Sequence, residues 1–159
     1  MQSDLTAHAT LIKWWSSGED LPAKADIDES FIQGLENRMS ISLPKDFRDY
    51  LLHAAPKEDH WDEAQVTWWS PSRLNRLAEE YEHPISDAKV YKASNHYLVF
   101  ADYSIWCWAW AICCDNSGNR GQVVVIAGGQ ADKIVADSFT QFVALFASNP
   151  DFAVECLGE

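Results

Sequence analysis

Helical apolar spacing through the first half of the chain, alternation across residues 97 to 127, and helical spacing again from Ser138 predict an α+β fold. In it, N-terminal helices and a C-terminal helix pack on a mainly antiparallel β-sheet. The strands follow one another directly, whereas a parallel βαβ sheet would need a helix between each pair. A length of 159 residues, 47% of them apolar, suits one domain with a substantial core. Residues 1–25 read as an N-terminal helix and linker of that domain, and residues 26–159 as its main body.

The first helix is expected from about Ser3 to Trp15, with Leu5, Leu11, Ile12 and Trp15 near one face and Gly18 as its stop. A linker containing Pro22 follows. Asp26 and Glu29 stand at capping-box spacing and open a second helix, whose buried stripe is Phe31, Ile32, Leu35 and Met39. Leu43-Pro44 then starts a third helix, because a first helical turn has no use for the N–H that proline lacks. Phe47, Tyr50 and Leu51 recur behind it at helical spacing. After an acidic loop from Glu58 to Glu63, a strand is expected around Gln65 to Trp69. Ser70 as cap and Pro71 as first residue predict a fourth helix carrying Leu74, Leu77 and Tyr81. Alternation then predicts strands at Tyr97 to Ala101, Ile105 to Cys114 and Gln122 to Ala127, the last two joined by the turn-rich segment 115–121. A short crossing segment at Lys133 to Val135 leads to a helix capped by Ser138, built on Phe139, Phe142, Val143 and Phe146 and ended by Asn149-Pro150.

The stretch from Ile41 to Leu52, preceded by a helix with Glu36 in its middle, resembles the signature of the SUKH superfamily, the Smi/Knr-like domains. That pattern is a helix with a mid-helix Glu, a short turn, Leu-Pro, and an aromatic-rich helix. Tyr97 to Asp102 resembles the family's central strand ending in an acidic residue, and Val135 to Phe139 with Phe142 resembles its closing helix. The likeness spans roughly residues 26 to 148. The chain departs from it after the Leu-Pro helix, where Ala54 to Trp61 replaces the Asn-Gly of many members. The resemblance implies a non-enzymatic binding domain. Bacterial members are commonly immunity proteins that neutralise a cognate toxin of a polymorphic toxin system, often a nuclease; fungal relatives are regulatory scaffolds, which supplies the alternative reading.

Composition bears on the partner. Twelve Lys and Arg against 24 Asp and Glu give a formal net charge of -12, which disfavours nucleic acid and anionic membranes and favours a protein with a basic surface. The N-terminus has Asp4 and no basic region before an apolar run, so no signal peptide is expected. The uncharged stretch from Tyr103 to Cys114 is too short to cross a bilayer. Cys107, Cys113, Cys114 and Cys156 do not form a disulfide framework, three of them falling in one expected strand. A reducing, cytoplasmic location follows as the expectation.

No motif assembles a reaction, and no cofactor is expected. His53, Asp59, His60 and Asp62 lie in one stretch without metal-ligand spacing, and a solvated loop accounts for them. Cys113-Cys114 reads as small buried filler, Gly128-Gly129 as a turn lacking a phosphate-binding fingerprint, and Ser104 and Ser117 belong to no nucleophile elbow. The acid pairs Asp59/Asp62 and Glu79/Glu80 sit in polar stretches that raise no carboxylate pKa. A small hydrolase is therefore disfavoured.

Tryptophan stands out, with eight in the chain. Trp106, Trp108 and Trp110 alternate, so an extended strand would send all three to one face, against Ile105, Cys107, Ala109, Ala111 and Cys113 on the other. That ladder either packs beneath helices or, if helices cover the small-residue face, forms an exposed binding surface. Trp61, Trp68 and Trp69 flank the acidic loop and would extend the surface. Under the immunity reading, Asp59, Asp62, Glu63 and Asp102 meet basic residues of the toxin, while Trp68, Trp69 or the ladder anchor by desolvated area.

Overall fold

Local capping and apolar spacing decide the helices before any tertiary contact is considered. In the computed structural model, which describes residues 6–18, 21–85, 87–116, 118–127, 132–149 and 151–155, α1 spans Ala7–Ser16. Its cap Thr6 accepts the Ala9 N–H, and Leu11 and Trp15 are buried. Helix α2, Glu29–Met39, is capped by Asp28, two residues later than the expected Asp26, because the Asp28 carboxylate accepts the Phe31 N–H. It ends at Ser40 in a left-handed conformation with φ 55°. The Glu36 carboxylate accepts the Leu43 N–H at 2.9 Å across the turn, which holds Pro44 in position to begin α3, Lys45–His53.

The sheet is antiparallel throughout, in the order β1-β2-β4-β5-β6-β7, with β3 also paired to β4. Its strands are β1 His60–Trp61, β2 Val66–Trp68, β3 Asn75–Arg76, β4 Tyr97–Tyr103, β5 Trp108–Cys113, β6 Val123–Ile126 and β7 Lys133–Ala136. Four of them differ from expectation, the first being β1, which lies within the stretch expected to be the acidic loop. The fourth helix predicted from Pro71 breaks into one 3-10 turn, Pro71–Arg73, then β3, then a short α4, Leu77–Glu80. The break arises because Asn75 and Arg76 pair with Val99 and Leu98 of β4, a tertiary ladder that local helical signals do not register. The segment at Lys133 is itself an edge strand paired with β6, and β5 begins only at Trp108.

Helix α5, Ala88–Lys92, leads into β4; α6, Phe139–Ser148, and α7, Phe152–Glu155, close the fold. The first turn of α6 is capped twice. Ser138 accepts the Gln141 N–H, and Asp46 of α3 accepts both the N–H and the hydroxyl of Thr140 at 2.8 Å. A carboxylate there also faces the positive end of the helix dipole. Helices α1, α3 and α6 lie together over the sheet face that carries Trp68, Phe100 and Trp110. Phe47, Phe139, Phe142 and Phe146 interleave with those side chains, all 0–1% exposed. Large aromatics bury roughly 150–250 Å² each, so this layer dominates the hydrophobic stabilisation. Among the described residues, no helix is long and apolar enough to cross a membrane.

Candidate interaction site at the acidic loop

The acidic loop sorts into two carboxylates the fold consumes, Asp59 and Asp62, and two it leaves outward, Glu58 and Glu63. Asp59 Oδ1 accepts the Ser70 N–H at 2.9 Å, and its Oδ2 meets Arg73 Nη1 at 2.6 Å. The Arg73 guanidinium in turn lies 3.9 Å from the centroid of the Trp69 ring. Asp62 is engaged further: Oδ2 accepts the indole N–H groups of Trp14 and Trp68, at 3.2 and 2.8 Å, and Oδ1 accepts the N–H groups of Ala64 and Val66. Its carboxylate thus builds the β1–β2 turn and fixes two tryptophans. Glu63, by contrast, is exposed and makes no hydrogen bond or ion pair to the described residues.

Most of the expected tryptophan surface is internal. Trp68, Trp69 and Trp110 are fully buried, so their rings cannot anchor a partner in this conformation. The ladder also fails geometrically, because Ser104, Ile105 and Trp106 have φ of 49°, 58° and 62°. Three successive left-handed residues make a turn, so Trp106 does not lie in a strand; it stacks on Tyr81 at 6.2 Å. Cys107 belongs to the same turn, and Ile105 stands 86% exposed. Trp108 and Trp110 do share a face, but it is the one under α6 and α7: Trp110 meets Phe142, and Trp108 donates its indole N–H to the Ala153 carbonyl.

Asp102 is also removed from the surface. Only 4% exposed, it pairs in register with Thr67 and Ala109 and therefore points away from the face of Trp68 and Trp110. Burial raises its pKa; the nearby Arg73 opposes the shift and Asp59 adds to it. Thr67 and Trp69 side chains lie beside it, yet Oδ1 closes no hydrogen bond of normal geometry to the described residues.

Sequence reasoning singled out Trp61 but missed the cleft it shares with the end of α1. About 360 Å³ in volume, this cleft is lined by Trp14, Trp15 and Gly18 from one part of the sequence and by residues 60–63 from another. Of the eight tryptophans, all described, Trp61 alone is exposed, at 60%. It sits on β1, at the edge of the sheet. Beside it, the β1–β2 and β4–β5 turns meet at one end of the sheet, where the Ser104 N–H reaches the Gln65 carbonyl at 3.0 Å. Those two turns hold four of the five non-glycine residues of positive φ among the described residues: Gln65, Ser104, Ile105 and Trp106. Such strain persists only where surrounding structure holds it, and it concentrates at functional surfaces.

Nothing in the described chemistry favours a nucleophile or a metal. Burial raises the thiol pKa of both Cys113 and Cys114, the opposite of activation. Cys107, Cys113 and Cys114 are unpaired thiols, and Cys156 lies outside the described residues, as do Ser117 and Gly128-Gly129. Among the described residues, no three His, Cys, Asp or Glu side chains are placed to hold a metal ion.

The family model for the SMI1 / KNR4 family (SUKH-1) matches residues 26–145. No curated protein matches the chain.

Proposed function

Because the chain belongs to the SMI1 / KNR4 family (SUKH-1), we propose that it is a non-enzymatic immunity protein that neutralises a bacterial toxin with a basic surface by covering it. The observation that carries this reading is Trp61, an exposed indole on a sheet edge, set beside Glu63 in a chain of net charge -12. A solvent-facing tryptophan next to a carboxylate supplies desolvated area and charge complementarity together, the usual anchors of a protein interface. A nuclease domain must be basic where it holds nucleic acid, so an acidic protein docked there occludes it and associates quickly.

In this mechanism Trp61 and Glu63 make the central contacts, while exposed Glu58 and Ile105 contribute at the margin. Asp59 and Asp62 act from behind, the first by holding Arg73 and the second by fixing the loop. The test is growth rescue in the bacterial cytoplasm: the chain is expressed beside the toxic C-terminal domain of any neighbouring secreted protein, with the Trp61→Ala/Glu63→Gln variant in parallel. Wild type is expected to restore growth and the variant, still folded, to fail. Absence of rescue by wild type, with no complex on pull-down, overturns the toxin reading. The Asp59/Asp62/Glu63 triple alanine variant is a poor probe, because loss of the Asp62 hydrogen bonds would unfold the loop.

A further inference from the structure

We propose that the cleft between α1 and the acidic loop is a receptor for a single arginine side chain of the partner, its guanidinium lying on Trp61 and its charge meeting Glu63. This rests on the protein-binding reading above and deepens it.

The chain supplies its own precedent. At the start of the acidic loop, the Arg73 guanidinium lies 3.9 Å from the Trp69 ring centroid, and its Nη1 meets Asp59 at 2.6 Å. A flat ring, a carboxylate and a guanidinium thus form one unit within the molecule. The cleft brings together two of those three kinds of group, the Glu63 carboxylate and the exposed Trp61 indole, both of which line it. The ion pairs among the described residues are Lys45–Asp49, Arg48–Glu29, Arg73–Asp59 and Arg76–Glu79, so none of them brings a cation to Glu63.

Three further features suit a cation there. The C-terminal turn of α1 forms one wall, through Trp14, Trp15 and Gly18, and a helix C-terminus presents negative partial charge. The wall is firmly held: the Trp14 indole is fixed by its bond to Asp62 and by an edge contact with Phe146 at 5.3 Å, so the cleft is ready-formed. Gly18 lets the Glu63 carboxylate lie close against the end of α1; a Cβ there would stand 3.1 Å from Glu63 Oε2 and shift it by a few tenths of an ångström. Planar guanidinium matches an indole face better than an ammonium does, which favours arginine over lysine. The α1 wall lies outside the family-matched residues 26–145, and Trp61 closes the Ala54 to Trp61 segment in which the chain departs from the family pattern.

The probe is the capped tripeptide Ac-Gly-Arg-Gly-NH2, titrated into the intact protein while the eight indole N–H signals are followed by NMR. Its citrulline analogue has the same shape without the charge. The arginine peptide is expected to shift the Trp14 and Trp61 signals saturably, and citrulline to bind about fivefold more weakly or less. Trp61→Leu and Glu63→Gln, both surface changes, are each expected to weaken binding about three- to tenfold, with the remaining indole signals unmoved as proof of folding. Glu82→Gln, at a position that does not line the cleft, leaves binding unchanged. Equal response to citrulline, indifference to both cleft variants, or no saturable shift overturns the proposal. The titration uses no toxin: its failure leaves the immunity reading to the rescue assay, and failed rescue with intact arginine binding removes the toxin alone.

Discussion

Asp62 shows how far a carboxylate's role departs from its charge. It accepts four hydrogen bonds, two from indoles that belong to different elements, and so it holds the β1–β2 turn against α1. Asp62→Ala is expected to cost about 2–3 kcal/mol, since it strands the indole N–H of buried Trp68; with about 2–4 °C per kcal/mol at this size, Tm falls by roughly 4–12 °C in thermal denaturation. Glu63→Gln, one residue on and exposed, should leave Tm unchanged. Asp102 behaves in the reverse sense. Its folded pKa lies above the ordinary 3.8, so between that value and the folded pKa the native state holds more protons than the unfolded chain, and stability declines as pH rises through the window. Asp102→Asn removes this penalty: its Tm is expected to exceed wild type at pH 7, with the gain shrinking toward pH 4. A gain independent of pH would refute that origin. None of these roles is legible in sequence, because partner and burial are set by residues up to 48 positions away, as for Trp14 and Asp62.

Among elements, those with local punctuation were legible and those set by tertiary pairing were not. Helices α3 and α6 announce themselves through Pro44 and Ser138, and all of α2, α3 and α6 through apolar spacing that the core uses directly, although the cap of α2 is Asp28 and not the expected Asp26. The residues that carry the family likeness are structural: Glu36 closes the α2–α3 turn, and Pro44 starts α3. Just past it, Asp46 caps α6, and Asp46→Ala is expected to destabilise by about 1–2 kcal/mol in urea unfolding, without altering partner binding. The β4–β5 turn escaped detection because left-handed conformations fall on Ser104, Ile105 and Trp106, where no glycine or asparagine signals them. Alternation of Trp106, Trp108 and Trp110 therefore looked like one strand, and the sequence could not say which sheet face the helices would cover. Helix α1 is the element whose removal tests both stability and site: Leu11, wholly buried, is expected to cost about 2–5 kcal/mol on mutation to alanine.

At the scale of the whole molecule, a single aromatic layer is packed between the sheet and α1, α3 and α6, and one end of that sandwich carries the exposed tryptophan, the outward glutamate and the strained turns. The α+β architecture was readable from the order of periodicities; the site was readable only as a region, since the cleft joins segments more than 40 residues apart. Net charge of -12 makes association with a basic partner fall with ionic strength, and the on-rate is expected to drop about tenfold or more from 20 to 300 mM salt, while the off-rate changes little. A salt-independent on-rate would argue for an apolar interface instead. The account's central claim, that the partner docks on the α1–acidic loop end, is tested most directly by amide hydrogen exchange on the chain bound to the toxic domain from which it rescues growth. Protection is predicted to concentrate at residues 14–18 and 60–65; protection confined to other surfaces, with exchange at those two segments unchanged, would contradict it.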